Sequence, residues 1–294
     1  MDYRSFLHYL RYEKRASGHT LEAYARDLDQ ANRFIYEELG LPQGLYPESK
    51  HLRCWLVSLM EQGMQPRTLH RKISTLKTFF KFLIREGLHP GPDPCRPLQR
   101  PKTPRNLPRS VAQTSMEQLL GEEMPEDFWQ LRDRCVVELL YGCGLRRAEL
   151  ISLQWQDWED SGALLRVTGK RSKVRLLPLT LEITQILTHY RAKAAFMGRV
   201  GAGCPLFFTH QGKPLYPKLV GDLVKDALGK VSTLKQRSPH VLRHSFATHL
   251  LDNGADLNAV KTLMGHASLA ATQIYTHQSV EKLKEIHRKT HPKG

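Results

Sequence analysis

The sequence predicts a mainly α-helical protein of two domains, the second carrying a small β-sheet. Three observations lead there. Apolar side chains recur at helical spacing through residues 1–86. Seven prolines crowd into residues 87–110, where a helix cannot persist. In residues 111–294 only 164–168 and 174–179 read as strands, between long helical stretches. The expected domains are therefore 1–86 and 111–294, joined by an extended basic linker over 87–110.

In the first domain Phe6, Leu7 and Leu10 mark a helix that runs into the basic stretch 11–15. Thr20 is the candidate N-cap of a helix over 21–38, with Tyr24, Leu28, Ala31 and Ile35 on its apolar face. Leu52, Trp55, Leu56 and Leu59 mark a third helix, ended near Gly63. Thr68 is the candidate cap of a fourth, which turns Leu69, Ile73, Leu76, Phe80 and Leu83 inward. Arg71, Lys72, Lys77 and Lys81 fall mostly off that face, which makes them candidate contacts to a polyanion. The linker adds Arg96, Arg100, Lys102, Arg105 and Arg109. In the second domain, helix resumes near Ser115 and again over 131–141, and the two strands enclose a turn at 169–173. Ser238-Pro239 is a helix start, with a capping Ser and Pro at the first helical position, and Asn253-Gly254 is a stop. Asp256 and Ser268 are candidate caps of two short helices on either side of Gly265, and Ser279 begins a last basic helix.

Lys and Arg number 44 against 29 Asp and Glu, a net charge of +15 and a pI near 9.7. Both halves share the excess: 19 against 11 in residues 1–110 and 25 against 18 in residues 111–294. Such a balance favours a polyanionic partner, nucleic acid first and an acidic membrane surface as the competing reading. No apolar run approaches the roughly 20 residues of a membrane span, and the N-terminus has no signal-peptide core, so a cytoplasmic protein with no membrane partner is expected. The five cysteines are odd in number and form no C-x-x-C pair, which argues against a disulfide framework or a thiolate zinc site.

The chemistry concentrates in the second half. The stretch 141-YGCGLRRAEL-150 sets Arg146 where a glycine-rich turn enters a helix. Lys170 sits in the turn 169-GKRSK-173, placed to donate a proton in a groove. The turn is not an ATP-binding loop, because six residues rather than four separate Gly162 from Gly169 and Arg171 follows the lysine. In 240-HVLRHSFATHL-250, His240, Arg243 and His244 share a helix face. His240 and His244 have zinc spacing, but the glutamate of H-E-x-x-H is missing and Arg243 would repel a cation. In 263-LMGHASLAATQIYTH-277, His266 follows Gly265 and Tyr275 lies nine residues on. A free phenol is ionised at only about one part in a thousand at neutral pH, so Tyr275 becomes a nucleophile only beside cations or a base. A phosphodiester under attack gathers negative charge on its non-bridging oxygens, and an Arg- and His-rich site suits that charge with no metal or other cofactor required.

The ordered series GLR, a hairpin Lys, HxLRH, MGH and a Tyr nine residues later resembles the tyrosine recombinases of the phage integrase family over nearly the whole chain, most closely the bacterial Xer-type site-specific recombinases. Arg147, Arg171 and Met264 depart from the usual pattern. The resemblance implies a C-shaped DNA clamp made of a helical, SAM-like core-binding domain and an α+β catalytic domain. It implies that Tyr275 forms a 3′-phosphotyrosyl link and releases a 5′-hydroxyl, and that Arg146 and Arg243 hold the phosphate with help from His266. It further implies that His240 exchanges the tyrosine proton, that Lys170 protonates the leaving oxygen and that Glu149 holds the geometry. Implied partners are duplex DNA with paired inverted half-sites, a tetramer of one or two recombinases exchanging strands through a Holliday junction, and a DNA translocase as activator. The implied task is resolution of chromosome or plasmid dimers at a dif-like site during chromosome segregation and cell division. An integrase of a mobile element, a DNA-binding protein without catalysis and a metal-dependent nuclease are the alternatives. The basic tail after Tyr275, striped by Val280, Leu283 and Ile286, docks on a neighbouring subunit or on its own domain.

Overall fold

Aromatic side chains on one long helix organise the N-terminal third of the chain. The computed structural model describes residues 1–102, 110–159, 163–169, 173–265 and 289–290, and it divides into two compact units, Met1–Asn106 and Leu107–Gly294. Helix α4 (Pro66–Arg85) buries Phe79, Phe80 and Phe82 beside the expected Leu69, Ile73, Leu76 and Leu83. Phe6 of α1 (Arg4–Tyr12) packs its ring 5.3 Å from Phe79 and 5.5 Å from Phe82. Pro66 occupies the first position of α4, so that helix starts two residues before Thr68. Helix α2 (Gly18–Asn32) likewise begins before Thr20: Ser17 is its cap, and the Ser17 hydroxyl accepts from the Thr20 amide. Its last turns widen into a π-helical run, Arg33–Glu38. Helix α3 (Ser49–Glu61) adds Leu52, Trp55, Leu56 and Leu59 to the same core.

The proline-rich segment differs from expectation. Cys95 and Leu98 are buried in the core of the first unit, so residues 93–101 strap that unit before the chain leaves it. Proline cannot donate a backbone hydrogen bond, and the carbonyls left to be satisfied take side chains from α3 and α4. Ser49 Oγ donates to Pro94 O (2.8 Å), Lys77 Nζ donates to Leu98 O (3.2 Å), and His70 Nε2 meets Pro101 O at 2.6 Å.

The second unit is built on α6 (Phe128–Gly142), capped by Asp127 and buried continuously from Cys135 to Gly142. Around it lie α5 (Gln113–Gly121), α7 (Arg147–Ser152), α8 (Leu181–Phe196), α9 (Pro217–Val231), α10 (Pro239–Asp252) and α11 (Leu257–Met264). The strands β1 (Trp158–Glu159), β2 (Leu164–Thr168) and β3 (Val174–Pro178) form one antiparallel sheet in that order. Leu165 pairs with Leu177 and Val167 with Arg175, and all four side chains are buried. Asp256 caps α11 as the sequence predicts, and Asn253 and Gly254 end α10. The proposed cap Ser268 and the helix from Ser279 lie outside the described residues. At the far end of the chain, Thr290 is buried and its carbonyl accepts from Asn253 Nδ2 (2.9 Å). Among the described residues no helix is long and apolar enough to cross a membrane.

Candidate active site

The site begins where α6 stops. Gly144 has φ +57°, and a Cβ there would lie 2.4 Å from the Phe246 ring. Only glycine meets both demands, and the turn it permits buries Leu145 and delivers Arg146 to the N-cap position of α7. Glu149, in the first turn of α7, reaches back: its Oε2 accepts from the Arg146 amide (2.8 Å) and its Oε1 from Arg146 Nη1 (2.7 Å). Glu149 is 4% exposed. Burial alone would raise its pKa, but hydrogen bonds and charge from Arg175, with hydrogen bonds from Arg146, hold it down at about 2.

Arg243 reaches the same place from α10. Pro239 opens that helix as expected, with Ser238 at the N-cap position but without a side-chain capping hydrogen bond, and the first turn carries exposed His240 one turn before buried Arg243. The Arg243 guanidinium donates to the carbonyls of Gly144 and Met264 and lies 3.9 Å from Glu149 Oε2. Burial and, after it, repulsion from Arg146 lower its pKa to about 10, so it remains a cation at neutral pH. Helix α10 is itself anchored behind the site. His249 Nε2–H donates to Val111 O (2.9 Å), its Nδ1 accepts from the Tyr141 hydroxyl (2.8 Å), and Ser245 Oγ accepts from the Val111 amide (2.8 Å). Burial lowers the His249 pKa, in keeping with a neutral ring.

Sequence reasoning missed one member. Arg175 of β3 is buried, grips Glu149 with both terminal nitrogens (2.9 and 2.8 Å) and donates from Nε to Leu263 O (3.1 Å). A signal was present: alternation along β3 places Arg175 on the same face as core residue Leu177. With Arg175 included, three arginines serve three consecutive carbonyls at the end of α11. Leu263 takes Arg175, Met264 takes Arg243, and Gly265 takes Arg146 Nη2 (3.3 Å). These are carbonyls that a helix C-terminus leaves without intrahelical partners, and cations are favoured there. Gly265 closes the helix at φ +62°. The arrangement concentrates three guanidinium groups around one carboxylate, and Arg146 keeps 38% of its side chain accessible. Such a site can hold an anionic group in a fixed orientation.

The structure thus brings Arg146 and Arg243 together, with His240 on the helix that supplies Arg243. Lys170, Arg171, His266 and Tyr275 lie outside the described residues. A Cβ added at Gly169, the residue before Lys170, would meet Glu149 Oε1 at 3.5 Å and Arg175 Nη1 at 3.6 Å, and one at Gly265, the residue before His266, would meet Arg175 Nη1 at 3.1 Å.

The helix α4 candidates fare differently. Lys72 is corrected: it is 4% exposed, donates to Asp27 Oδ1 (2.9 Å) and Gln30 Oε1 (2.5 Å), and therefore serves the interior of the first unit. A buried ammonium needs such partners, and α2 supplies them. Arg71 also pairs with Asp27, Lys77 is half-buried on Leu98 O, and Lys81 is exposed.

Comparisons with known proteins agree along the length of the chain. Residues 109–282 match the phage integrase family, and residues 4–87 match the N-terminal SAM-like domain of phage integrases. The chain is 36% identical to the tyrosine recombinase XerC of Chlorobaculum parvum, over 98% of this chain and 93% of that one. It is 33% identical to the tyrosine recombinase XerD of Halalkalibacterium halodurans, over 99% and 97%. Its fold is similar to that of the XerH site-specific recombinase solved on palindromic difH substrate in a post-cleavage complex, with a TM-score of 0.71 and 21% identity over 90% of this chain and 78% of that one.

Proposed function

The chain belongs to the phage integrase family, and on that premise we propose how its residues divide the work of a tyrosine recombinase acting on DNA. Recombination of this kind is two transesterifications. In the first, the Tyr275 oxygen attacks phosphorus, the bond from phosphorus to the 5′-oxygen breaks, and a 3′-phosphotyrosyl link forms. His240 accepts the phenolic proton, and Lys170 gives a proton to the departing 5′-oxygen. In the second, a 5′-hydroxyl of the partner strand attacks the phosphotyrosine and releases the tyrosine, so the phosphodiester count is conserved and no nucleotide is consumed.

Arg146 and Arg243, with His266, hold the non-bridging oxygens. The observation that carries this assignment is the convergence of the two arginines on the α11 terminus around buried Glu149. Guanidinium groups fixed there are oriented before the charge develops, which is how such donors lower a barrier. The basic linker segment and Lys81 are assigned to the phosphate backbone. We further assign the chain to a tetramer, alone or with a second recombinase, on paired inverted half-sites in the cytoplasm, with a DNA translocase as the candidate activator. The task assigned is dimer resolution at a dif-like site. Its test is capture of tyrosine-linked DNA from the cells that carry this chain, followed by sequencing. A single chromosomal locus with inverted half-sites is expected; recovery of mobile-element ends instead would mean an integrase with the same chemistry.

A further inference from the structure

We infer that Arg175 is a positioning residue for strand cleavage: it locks Glu149 and the end of α11 so that Arg146 stays available to DNA, and it does not itself bind the phosphate. The inference rests on the assignment of Arg146 to the scissile phosphate. Arg175 is 5% exposed, and its Nε, Nη1 and Nη2 each donate to a protein acceptor. Three of its five N–H groups are taken up by the protein, and its burial keeps the guanidinium away from an incoming phosphate. Its effect passes through Glu149, whose Oε1 it shares with Arg146 Nη1.

The geometry explains why a second arginine is needed. A lone carboxylate and a lone guanidinium settle into a two-point fork. Without Arg175, Glu149 would draw both Arg146 terminal nitrogens onto itself and off Gly265 O. With Arg175 holding both carboxylate oxygens, Arg146 keeps a single side-chain contact to Glu149 and has N–H groups to spare. The third contact, Nε to Leu263 O, ties the same guanidinium to the segment that leads into His266. Lysine cannot reproduce this, because an ammonium is a point charge without the fork.

The test is single-turnover cleavage, with protein in excess, of nicked duplexes selected from a degenerate inverted-half-site pool, alongside DNA affinity. Arg175→Met, Arg175→Lys, Glu149→Gln, the Arg175→Met/Glu149→Gln double variant and Arg146→Ala are compared with the parent protein. Arg175→Met is expected to slow cleavage about thirty-fold or more while its Kd moves less than about three-fold, because the interaction lost matters in the transition state. The double variant is expected to be no slower than the slower single variant, as for two residues on one path. Arg175→Lys is expected to fold and still to cleave slowly, and it carries the test if Arg175→Met fails to fold. Cleavage within about three-fold of the parent by either Arg175 variant, parallel loss of binding and cleavage, or losses that multiply in the double variant would each overturn the inference. Arg146→Ala separates the two levels. If it cleaves normally, the assignment of Arg146 is wrong; if it is inactive while Arg175→Met is normal, the positioning role alone is wrong.

Discussion

At the scale of single residues, the site is a charge balance struck around one buried carboxylate. Among the described residues, Arg146, Arg175 and Arg243 face one carboxylate, Glu149, and leave a local excess of positive charge. Arg146 is the most accessible of the three, so Arg146→Ala should leave the fold intact and slow cleavage by about 10²–10³, the typical loss of about 2.7–4 kcal/mol for one transition-state donor, with DNA affinity nearly unchanged. Single-turnover rates beside a binding isotherm check this, and equal losses in both would contradict it. Glu149 makes a pH prediction. Its folded pKa of about 2 lies below the ordinary 4.5, so its contribution to stability is complete above about pH 4.5 and is lost as pH falls towards 2. Thermal melts should show Glu149→Gln most destabilised near neutrality, with the gap to the parent protein narrowing on acidification; a gap constant with pH would contradict the ionised pair. Arg146 and Arg243, which the structure brings together, could be singled out in the sequence because each sits in a local pattern of glycines or helical spacing. Arg175 and Lys72 were not, because what buries them is distant in sequence: Glu149 is 26 residues from Arg175, and Asp27 is 45 from Lys72.

At the scale of elements, the end of α11 matters most. Three helices or strands send an arginine to it, and Gly265 permits the left-handed residue that terminates it. A Cβ at Gly265 would lie 3.1 Å from Arg175 Nη1 as well as forcing a side chain into φ +62°. Gly265→Ala should therefore lower Tm, by about 1 kcal/mol of stability or more, and slow cleavage as well; a melt and a rate both equal to those of the parent would contradict the tight packing. The elements themselves were mostly legible. Hydrophobic spacing located the helices of the first unit and the β2–β3 pair but not α8, α9 or the short β1, and the starts at Ser17 and Pro66 were misplaced by a few residues because Thr20 and Thr68 look like equally good caps in isolation. The proline-rich segment read as an extended connection because proline resists helix; Cys95 and Leu98 anchor part of it in the first core without any regular structure.

At the scale of the whole molecule, two separate apolar cores carry a chain with a net charge of +15. Electrostatic attraction of that size brings DNA to the protein without choosing the reaction, which we assign to the arginine cluster and the tyrosine 32 residues beyond Arg243. The most direct measurement is a covalent trap: the protein is mixed with nicked duplexes bearing degenerate inverted half-sites, in EDTA, and resolved on a denaturing gel. A DNA-linked protein band that forms in EDTA and is absent from Tyr275→Phe is the predicted result. Cleavage that yields only free DNA ends, or an adduct that persists in Tyr275→Phe, would contradict it.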